Sequence, residues 1–160
     1  MNKENKLVPG LPSGFEDRWD KKLLLKKKLL KAIDINSSKL GALAHETPSF
    51  ENSRNGGSLL AEDEANPMSD VFSLQDGDKS ITLRYDLSSP LARFFAQNNQ
   101  ELPSIFKRYQ IQNVFRNEKG GNGRYREFLQ ADFDIVGNFN SAQANAELCN
   151  LIFSTLSDCG

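Results

Sequence analysis

Polar and apolar residues alternate through the stretch from Phe115 to Gly137, which predicts two strands joined by a glycine-rich turn. Residues two apart share a face in an extended strand, so Arg116 and Glu118 point the same way. Beyond the turn, the residues of that polar face are Arg124, Arg126, Phe128, Gln130, Asp132 and Asp134. The opposite, apolar face holds Leu129, Ala131, Phe133 and Ile135. We therefore predict that residues 107–118 and 124–137 pair antiparallel, with helices packed on the apolar face.

Apolar residues at helical spacing predict three helices around this hairpin. The first lies near the N-terminus, and its apolar positions are Trp19, Leu23, Leu30 and Ile33. Lysines surround these positions; a basic amphipathic helix can bind a membrane or a partner peptide, but we favour a core-packed helix with a solvated lysine face. The second helix opens at Ser89 and Pro90, with serine as its N-cap, and runs to about Asn99. The third spans residues 141–159 and stops at Gly160.

Two further strand candidates, residues 71–74 and 80–85, flank Asp76 and Gly77, a pair that is typical of hairpin turns. Residues 49–70 contain NGG, NP and several acids, and we predict a long loop there. Strands and helices of this kind in a chain of 160 residues predict one α+β domain.

Composition and charge exclude several classes of protein. With 38% hydrophobic and 26% charged residues the chain suits a soluble globular domain, and its net charge of -1 argues against a protein that coats nucleic acid. No apolar run approaches the ~18 residues that span a bilayer, and the polar start MNKENK lacks a signal-peptide core, so we expect a cytoplasmic protein without a membrane partner.

Cys149 and Cys159 have no companion ligands, so we expect reduced structural thiols and no metal site. We interpret His45 as a structural or surface residue.

The charged face of the hairpin has two interpretations. A half-exposed antiparallel pair shows the same alternation when its polar face is merely solvated. Two observations favour a floor for a multiply charged ligand. Six of the eight arginines fall between Arg84 and Arg126, whereas nine of the twelve lysines precede position 40, and arginine grips phosphate or carboxylate with a planar fork. Phe128 among the arginines suits a stacked purine, although a ring packed under arginine stems is the simpler alternative.

FRNE at 115–118, followed by RYREF and QADFD, closely resembles motif 2 of the class II aminoacyl-tRNA synthetases. LRYDLSSPLARFFAQN at 83–98 resembles the histidine-binding segment of histidyl-tRNA synthetases, and PSGFEDR at 12–18 resembles the opening of that family. ETPSFE is similar to the turn of motif 1, although LGALAHETP matches only approximately. The resemblance covers nearly the whole chain and is closest to alphaproteobacterial members. It implies a class II synthetase-like antiparallel sheet flanked by helices, with motif 1 around 40–51 and motif 2 around 107–137.

The resemblance also implies a reaction and its participants. L-histidine and ATP would form histidyl-adenylate, and tRNA(His) would then accept the histidyl group. Arg116 would be the catalytic residue, bridging the reacting carboxylate and the α-phosphate. The ATP-binding residues would be Arg116, Glu118, Arg124 and Phe128, with Mg²⁺ accompanying the ATP. The histidine-binding residues would be Asp86, Leu87, Ser88, Gln130 and Asp134.

Simpler structural roles remain open for several of these residues. Asp86 and Ser88 could cap the helix that follows them. Asp134 could pair on the sheet with Arg126 or Arg108. Without the family resemblance, these structural roles are the favoured interpretation.

Parts of a complete histidyl-tRNA synthetase have no counterpart in these 160 residues, namely motif 3 and the anticodon-binding domain. We therefore expect the N-terminal portion of a truncated catalytic domain, homodimeric in the full-length protein, with little or no adenylation by the chain alone. Two alternatives come from other functional classes: a regulatory subunit of ATP phosphoribosyltransferase that binds histidine without charging tRNA, and a non-catalytic module that binds RNA or protein. Retention of all four ATP-binding positions argues against the first alternative. Near-neutral charge without a dense basic stripe argues against the second.

Overall fold

A computed structural model describes residues 9–53, 70–121 and 123–160 of the chain. Within these ranges the helices are α1 (Lys21–Lys39), α2 (Ser88–Asn98) and α3 (Ser141–Cys159). The strands are β1 (Leu43–Ala44), β2 (Phe50–Asn52), β3 (Ser73–Asp76), β4 (Lys79–Leu83), β5 (Ile105–Phe115) and β6 (Glu127–Gly137). They build two sheets with helices packed against them, so the predicted α+β class is confirmed.

The larger sheet has the strand order β1-β5-β6, and the long antiparallel pair of β5 and β6 makes up most of it. Pairing runs from Ile105 opposite Gly137 to Phe115 opposite Glu127, which confirms the predicted hairpin. The ladder is shorter at the turn than the alternation suggested, because the chain leaves the sheet after Phe115 and rejoins it at Glu127. β1 pairs in parallel with β5. Its two residues are too few for periodicity to show, and the sequence did not predict it.

The smaller sheet has the strand order β2-β4-β3, and both of its pairings are antiparallel. The predicted turn at Asp76 and Gly77 is confirmed, since β3 and β4 pair across it. Gly77 has a φ of 61°, a left-handed conformation that glycine adopts without steric cost. Beyond β4, the Arg84 guanidinium donates to the backbone oxygens of Asn113 (2.6 Å) and Thr47 (2.7 Å). These hydrogen bonds connect the smaller sheet to the larger one.

Strand β2 lies within the segment for which we predicted a long loop, so that prediction was wrong at residues 50–52. The strand forms because Glu51 pairs opposite Thr82 of β4, and its buried carboxylate accepts two hydrogen bonds from Arg93 of α2. Both partners are distant along the chain, and no local pattern reveals them. Residues 54–69 of the predicted loop lie outside the described part of the chain.

Helices α1 and α3 pack against the apolar face of β5 and β6, as predicted. Tyr109 of β5 donates its hydroxyl proton to Asp34 of α1. Lys107 of β5 forms an ion pair with Glu147 of α3, with 2.5 Å between Nζ and Oε2. Phe133 of β6 lines a groove together with residues of both helices. The opposite face of the sheet is therefore the one left for polar residues.

Helix α2 meets that opposite face at one end, where the Phe94 ring lies 6.2 Å from the Phe106 ring of β5. The prediction that serine caps this helix was wrong. Leu87 is the N-cap residue, and the Asp86 carboxylate accepts the hydrogen bond of the Ser89 N–H at 2.9 Å. An aspartate one residue earlier thus satisfies a free N–H group of the first turn, as an N-cap side chain ordinarily does.

The two long helices begin and end largely where the pattern places them. Three of the four apolar positions predicted for the first helix are half-buried in α1, namely Leu23, Leu30 and Ile33. Trp19 was wrongly assigned to this face: it precedes the helix and is 77% exposed, because Asp20 turns the chain with a φ of 54°. Helix α3 has the predicted bounds, and the Asn140 side chain caps its first turn.

The described residues include no helix long and apolar enough to cross a membrane. Cys149 and Cys159, both on α3, are free thiols. Cys149 is exposed, so it does not have the buried environment expected of a structural thiol.

Candidate active site

The site is built on the face of β5 and β6 opposite α1 and α3, which we call the polar face. Directly paired residues of an antiparallel ladder share a face, so the register identifies its members. They are Arg108, Gln110 and Gln112 of β5 together with Phe128, Gln130, Asp132 and Asp134 of β6. The predicted alternation of β6 is therefore confirmed from Phe128 onward.

Arg116, the predicted catalytic residue, lies at the open end of the polar face, one residue beyond β5. Its N–H donates to the backbone oxygen of Arg126 at 2.8 Å, which extends the pairing by one step. The guanidinium carbon lies 4.5 Å from the centre of the Tyr85 ring and 5.1 Å from that of Phe128. Its Nε is 3.5 Å from the Tyr85 backbone oxygen. Aromatic rings orient a guanidinium without neutralising it, so the fork keeps its positive charge.

Glu118 and Arg124, two further predicted ATP-binding residues, form an ion pair with each other across the turn. The Glu118 carboxylate also accepts a hydrogen bond from the Tyr85 hydroxyl at 3.1 Å. Burial raises the pKa of Tyr85, the Arg116 charge lowers it, and the hydrogen bond to Glu118 raises it again. The Arg124 side chain is 68% exposed, so it can leave Glu118 for a stronger anion at little cost. The structure thus brings all four predicted ATP-binding residues together around Tyr85.

Arg126 has a place that the sequence pattern did not predict. Its guanidinium lies close to two rings, 4.6 Å from the centre of Phe72 and 5.8 Å from that of Phe15. It also donates to the Asn117 side chain. Its N–H donates to the backbone oxygen of Gly14 at 2.7 Å, and a Cβ at Gly14 would lie 2.5 Å from the Arg126 Cγ. The PSGF segment therefore holds the base of the turn that carries Arg116 and Arg124.

The predicted histidine-binding residues come from two segments. Asp86, Leu87 and Ser88 connect β4 to α2: Leu87 is fully buried, and one Asp86 oxygen caps the helix. The capping role that we left open for Asp86 is therefore confirmed, and it leaves the second carboxylate oxygen for other partners. Gln130 and Asp134 come from β6, where the Gln130 amide donates to both oxygens of Asp132 at 2.9 and 3.2 Å.

Asp134 pairs with Arg108 rather than Arg126, which answers the second open alternative. One guanidinium nitrogen lies 2.7 Å from Asp134 Oδ2, and the Arg108 side chain is completely buried. The same nitrogen is 3.1 Å from the Leu87 backbone oxygen. Burial raises the pKa of Asp134, the Arg108 charge lowers it, and Asp132 raises it. Arg108 thus joins the two segments that carry the predicted histidine-binding residues.

A buried hydrogen-bond network continues from Arg108 toward the motif 1 turn. Gln110 accepts from Arg108 at 2.5 Å and donates to Thr47 Oγ1 at 2.8 Å and to Gln112 Oε1 at 2.6 Å. The Gln112 oxygen also accepts from Arg84 at 3.1 Å. A buried hydrogen-bond network of this kind makes the β5 part of the polar face rigid.

His45, next to the motif 1 turn, lies against the Phe94 ring at 4.4 Å. Both of its ring nitrogens are buried without a hydrogen-bond partner among the described residues. Burial lowers its pKa, and the charges of Arg108 and Arg93 lower it further, so the imidazole is neutral near pH 7. This environment agrees with the structural role expected of it.

The polar face has two ends with different chemistry. Arg116 and Phe128 lie at one end, and Asp134 lies six residues along β6 at the other, a distance of about 20 Å at about 3.3 Å per residue. Gln130 lies between them. Positive charge and an aromatic ring at one end, with carboxylates at the other, can accommodate a nucleotide and an amino acid in line.

Comparison with known proteins agrees with this geometry. The family described as histidyl-tRNA synthetase matches residues 44–160. The chain is 73% identical over its whole length to the histidine–tRNA ligase of Pelagibacter ubique, an alphaproteobacterium, and spans 34% of that protein. It is 42% identical to the histidine–tRNA ligase of Bartonella quintana over 99% of its length, which is 32% of that protein. The chain thus spans about a third of the length of these relatives.

Solved structures share the fold. A histidyl-tRNA synthetase from Nostoc aligns with 92% of the chain at a TM-score of 0.75 and 27% identity, and the chain covers 34% of it. A protein from Bacillus halodurans, described as an ATP phosphoribosyltransferase regulatory subunit/histidyl-tRNA synthetase, aligns with the whole chain at a TM-score of 0.79; the chain covers 40% of it, and the 23% identity shows the fold alone. The family match and the sequence identities together show that the chain belongs to the histidyl-tRNA synthetase family.

Proposed function

We propose that this chain forms the ATP- and histidine-binding part of a histidine–tRNA ligase, which activates L-histidine as histidyl-adenylate and transfers it to tRNA(His). The observation that carries the proposal is the polar face itself. It presents a charged, unneutralised Arg116 and the Phe128 ring at one end and the Asp134 carboxylate at the other. Family membership supplies the reaction for which such a face is suited. The complete enzyme would act as a homodimer in the cytoplasm.

The first step joins the two small substrates. An oxygen of the histidine carboxylate attacks the α-phosphorus of ATP, the bond from that phosphorus to the bridging oxygen breaks, and pyrophosphate leaves. Both reacting groups are anionic, and negative charge on the phosphoryl oxygens must be balanced in the transition state. Arg116 would contact the carboxylate and the α-phosphate together, with its fork held by Tyr85 and Phe128.

The remaining ATP-binding residues have roles that fit their positions. Phe128 would stack on adenine, and the exposed Arg124 would bind the outer phosphates after leaving Glu118. Glu118 would accept a hydrogen bond from the adenine amino group or contact the tRNA end. In the second step a ribose hydroxyl at the end of tRNA attacks the histidyl carbonyl, AMP leaves, and the hydroxyl proton is released.

Magnesium would accompany the ATP. Among the described residues, no three histidines, cysteines or acids cluster as a metal site. Mg²⁺ bound to a nucleotide ordinarily needs only one or two protein carboxylates beside phosphate oxygens and water. Glu118, whose carboxylate binds Arg124 and the Tyr85 hydroxyl at this end of the face, would be the carboxylate available to the ion. The bound ion would neutralise part of the negative charge of the phosphates.

Histidine would bind on the polar face between Asp134 and Gln130, with its carboxylate directed toward Arg116 and the α-phosphate. The Asp86 and Asp134 carboxylates suit its ammonium group, and Gln130 can donate to or accept from the imidazole or the carboxylate. Ser88, the first residue of α2, would line the same region, and the fully buried Leu87 would support it from beneath.

Histidine-dependent exchange of pyrophosphate into ATP tests the proposal, with the protein encoded by the complete gene as the enzyme. We expect exchange with histidine and none with other amino acids, followed by transfer to tRNA(His). The regulatory-subunit alternative predicts histidine binding without exchange. Absence of exchange in a folded, histidine-binding protein would therefore reject the ligase and favour that alternative.

A further inference from the structure

Arg108 is the one arginine among the paired residues of the polar face in β5 and β6, and its side chain is completely buried. Its guanidinium contacts groups from three parts of the chain. One nitrogen lies 2.7 Å from Asp134 Oδ2 on β6 and 3.1 Å from the Leu87 backbone oxygen before α2. The other donates to Gln110 Oε1 on β5 at 2.5 Å. A single planar group therefore determines how β6, β5 and the segment before α2 lie relative to one another.

Stability alone does not account for a buried guanidinium at this position. Arginine is rarely buried completely, and a well-packed apolar residue often stabilises a fold as much as a buried ion pair does. One atom of the pair also lacks a hydrogen bond among the described groups, namely Arg108 Nε. Arg108 occupies Asp134 Oδ2, and the Asp134 side chain is 30% exposed, so the other carboxylate oxygen is left for the N–H of a ligand.

We propose that Arg108 is a positioning residue for the amino-acid substrate, which fixes the Asp134 carboxylate and the Leu87 backbone in the arrangement that binds histidine. This inference rests on the proposed function and extends it to a residue for which the family resemblance implied no role of its own. Arg108 does not touch the substrate. It acts through Asp134 and through the segment that carries Asp86 and Ser88.

Arg108 also favours the charged form of Asp134. The titratable and charged groups around Asp134 are Arg108 from β5 and Asp132 from β6, while Asp86 and His45 interact with Arg108. Burial and Asp132 raise the pKa of Asp134, and Arg108 is the group that lowers it. Removal of Arg108 therefore leaves a carboxyl group with a higher pKa, which protonates as the pH falls and then no longer attracts an ammonium group.

The test uses four variants of the protein encoded by the complete gene. Arg108→Met removes the charge and keeps the apolar stem, and Arg108→Lys keeps the charge without the fork. Asp134→Asn and the double variant Arg108→Met/Asp134→Asn close a double-mutant cycle. The double variant also removes the uncompensated buried carboxylate, so it remains informative if Arg108→Met alone fails to fold.

Arg93→Met is the matched control. The Arg93 guanidinium binds the buried Glu51 carboxylate through two contacts of 2.7 and 2.8 Å, away from the two segments that Arg108 connects. Its loss removes an arginine ion pair and lowers stability without changing Asp134. A general loss of stability would therefore affect both arginine variants alike.

Steady-state measurements of histidine-dependent pyrophosphate exchange give the KM for histidine and the KM for ATP of each variant. We expect Arg108→Met to raise the histidine KM on the order of tenfold while the ATP KM stays within about twofold. Arg108→Lys should show a smaller increase. The histidine KM of Arg108→Met should also rise more steeply than that of the parent as the pH falls. In the Asp134→Asn background, Arg108→Met should cause little further increase in the histidine KM.

Each contrary outcome has a distinct meaning. Equal effects on histidine and ATP, or the same effect from Arg93→Met, would show that Arg108 is only structural while the ligase function stands. Full additivity of the Arg108→Met and Asp134→Asn effects would show that Arg108 does not act through Asp134. Absence of exchange in the parent protein would overturn the proposed function and this inference together.

Discussion

Arg116→Lys provides the sharpest test of the proposed chemistry, because it keeps a positive charge and removes only the planar fork. In the structure the fork is held between the Tyr85 and Phe128 rings, with 4.5 and 5.1 Å from the guanidinium carbon to the ring centres. A lysine ammonium can lie near one of these rings but cannot contact a carboxylate and a phosphate with two parallel N–H groups.

The expected effect on catalysis follows from the hydrogen-bond donor that the substitution removes. Removal of one preorganised donor to a developing anion costs about 2 to 4 kcal/mol of transition-state stabilisation. At about 1.36 kcal/mol per factor of ten, adenylation should slow by about 30-fold to about 900-fold. The effect on folding should be much smaller. Exposed cation–π contacts contribute about 0.5 to 1 kcal/mol each, and lysine retains part of them, so Tm should fall by no more than about 2 to 4 °C.

Histidine-dependent pyrophosphate exchange and thermal denaturation measure the two effects separately in the protein encoded by the complete gene. Arg93→Lys is the control, since it removes a fork that binds Glu51 rather than the polar face. We expect the control to retain exchange activity within about twofold of the parent. If Arg116→Lys also retained activity within about twofold, Arg116 would be a structural residue and the assigned role would be wrong.

Three further predictions concern the two ends of the polar face and the chain as a whole. Asp134→Asn and Gln130→Ala should raise the histidine KM more than the ATP KM; a collapse of Tm with an unchanged histidine KM would show that these residues serve only the sheet. Gly14→Ala should lower stability by about 1 to 2 kcal/mol, because the residue has a φ of 84° and its new Cβ would lie 2.5 Å from the Arg126 Cγ. The same change should raise the ATP KM by displacing the turn, and an unchanged ATP KM in a destabilised protein would separate Gly14 from the site. Residues 1–160 alone should show little histidine-dependent exchange, since they span only about a third of the length of the histidine–tRNA ligases that they match; robust exchange would identify a self-sufficient core.

Much of the local structure could be read from the sequence. The alternation along 127–137 predicted the two faces of β6, and the ladder confirms them. The Asp76-Gly77 turn and the bounds of α3 were also correct, because each depends on residues within a few positions of one another. The motifs in their expected order indicated the family, which the comparisons confirm.

The candidate site was only partly visible in the sequence. The pattern did not predict the partners of the Arg126 guanidinium, which lies close to the Phe15 and Phe72 rings, more than fifty residues away along the chain. Tyr85 was not predicted to matter, although it contacts Arg116 and Glu118. Strand β2 escaped detection for the same reason, since its ladder partner lies in β4.

The sequence by itself determined where the two long helices and the β5–β6 hairpin lie, which face of that hairpin is polar, and the family to which the chain belongs. These properties follow from local periodicity, turn residues and motif order, which a single chain displays directly. Only the tertiary structure decided which charges pair and which are buried. Arg108 looks like any other polar residue of an alternating strand, but packing of the Leu87 segment over β5 buries it completely, with Asp134, Leu87 and Gln110 as its partners. Burial and the choice of partner arise from contacts between segments that are distant along the chain, so the local sequence pattern does not predict them.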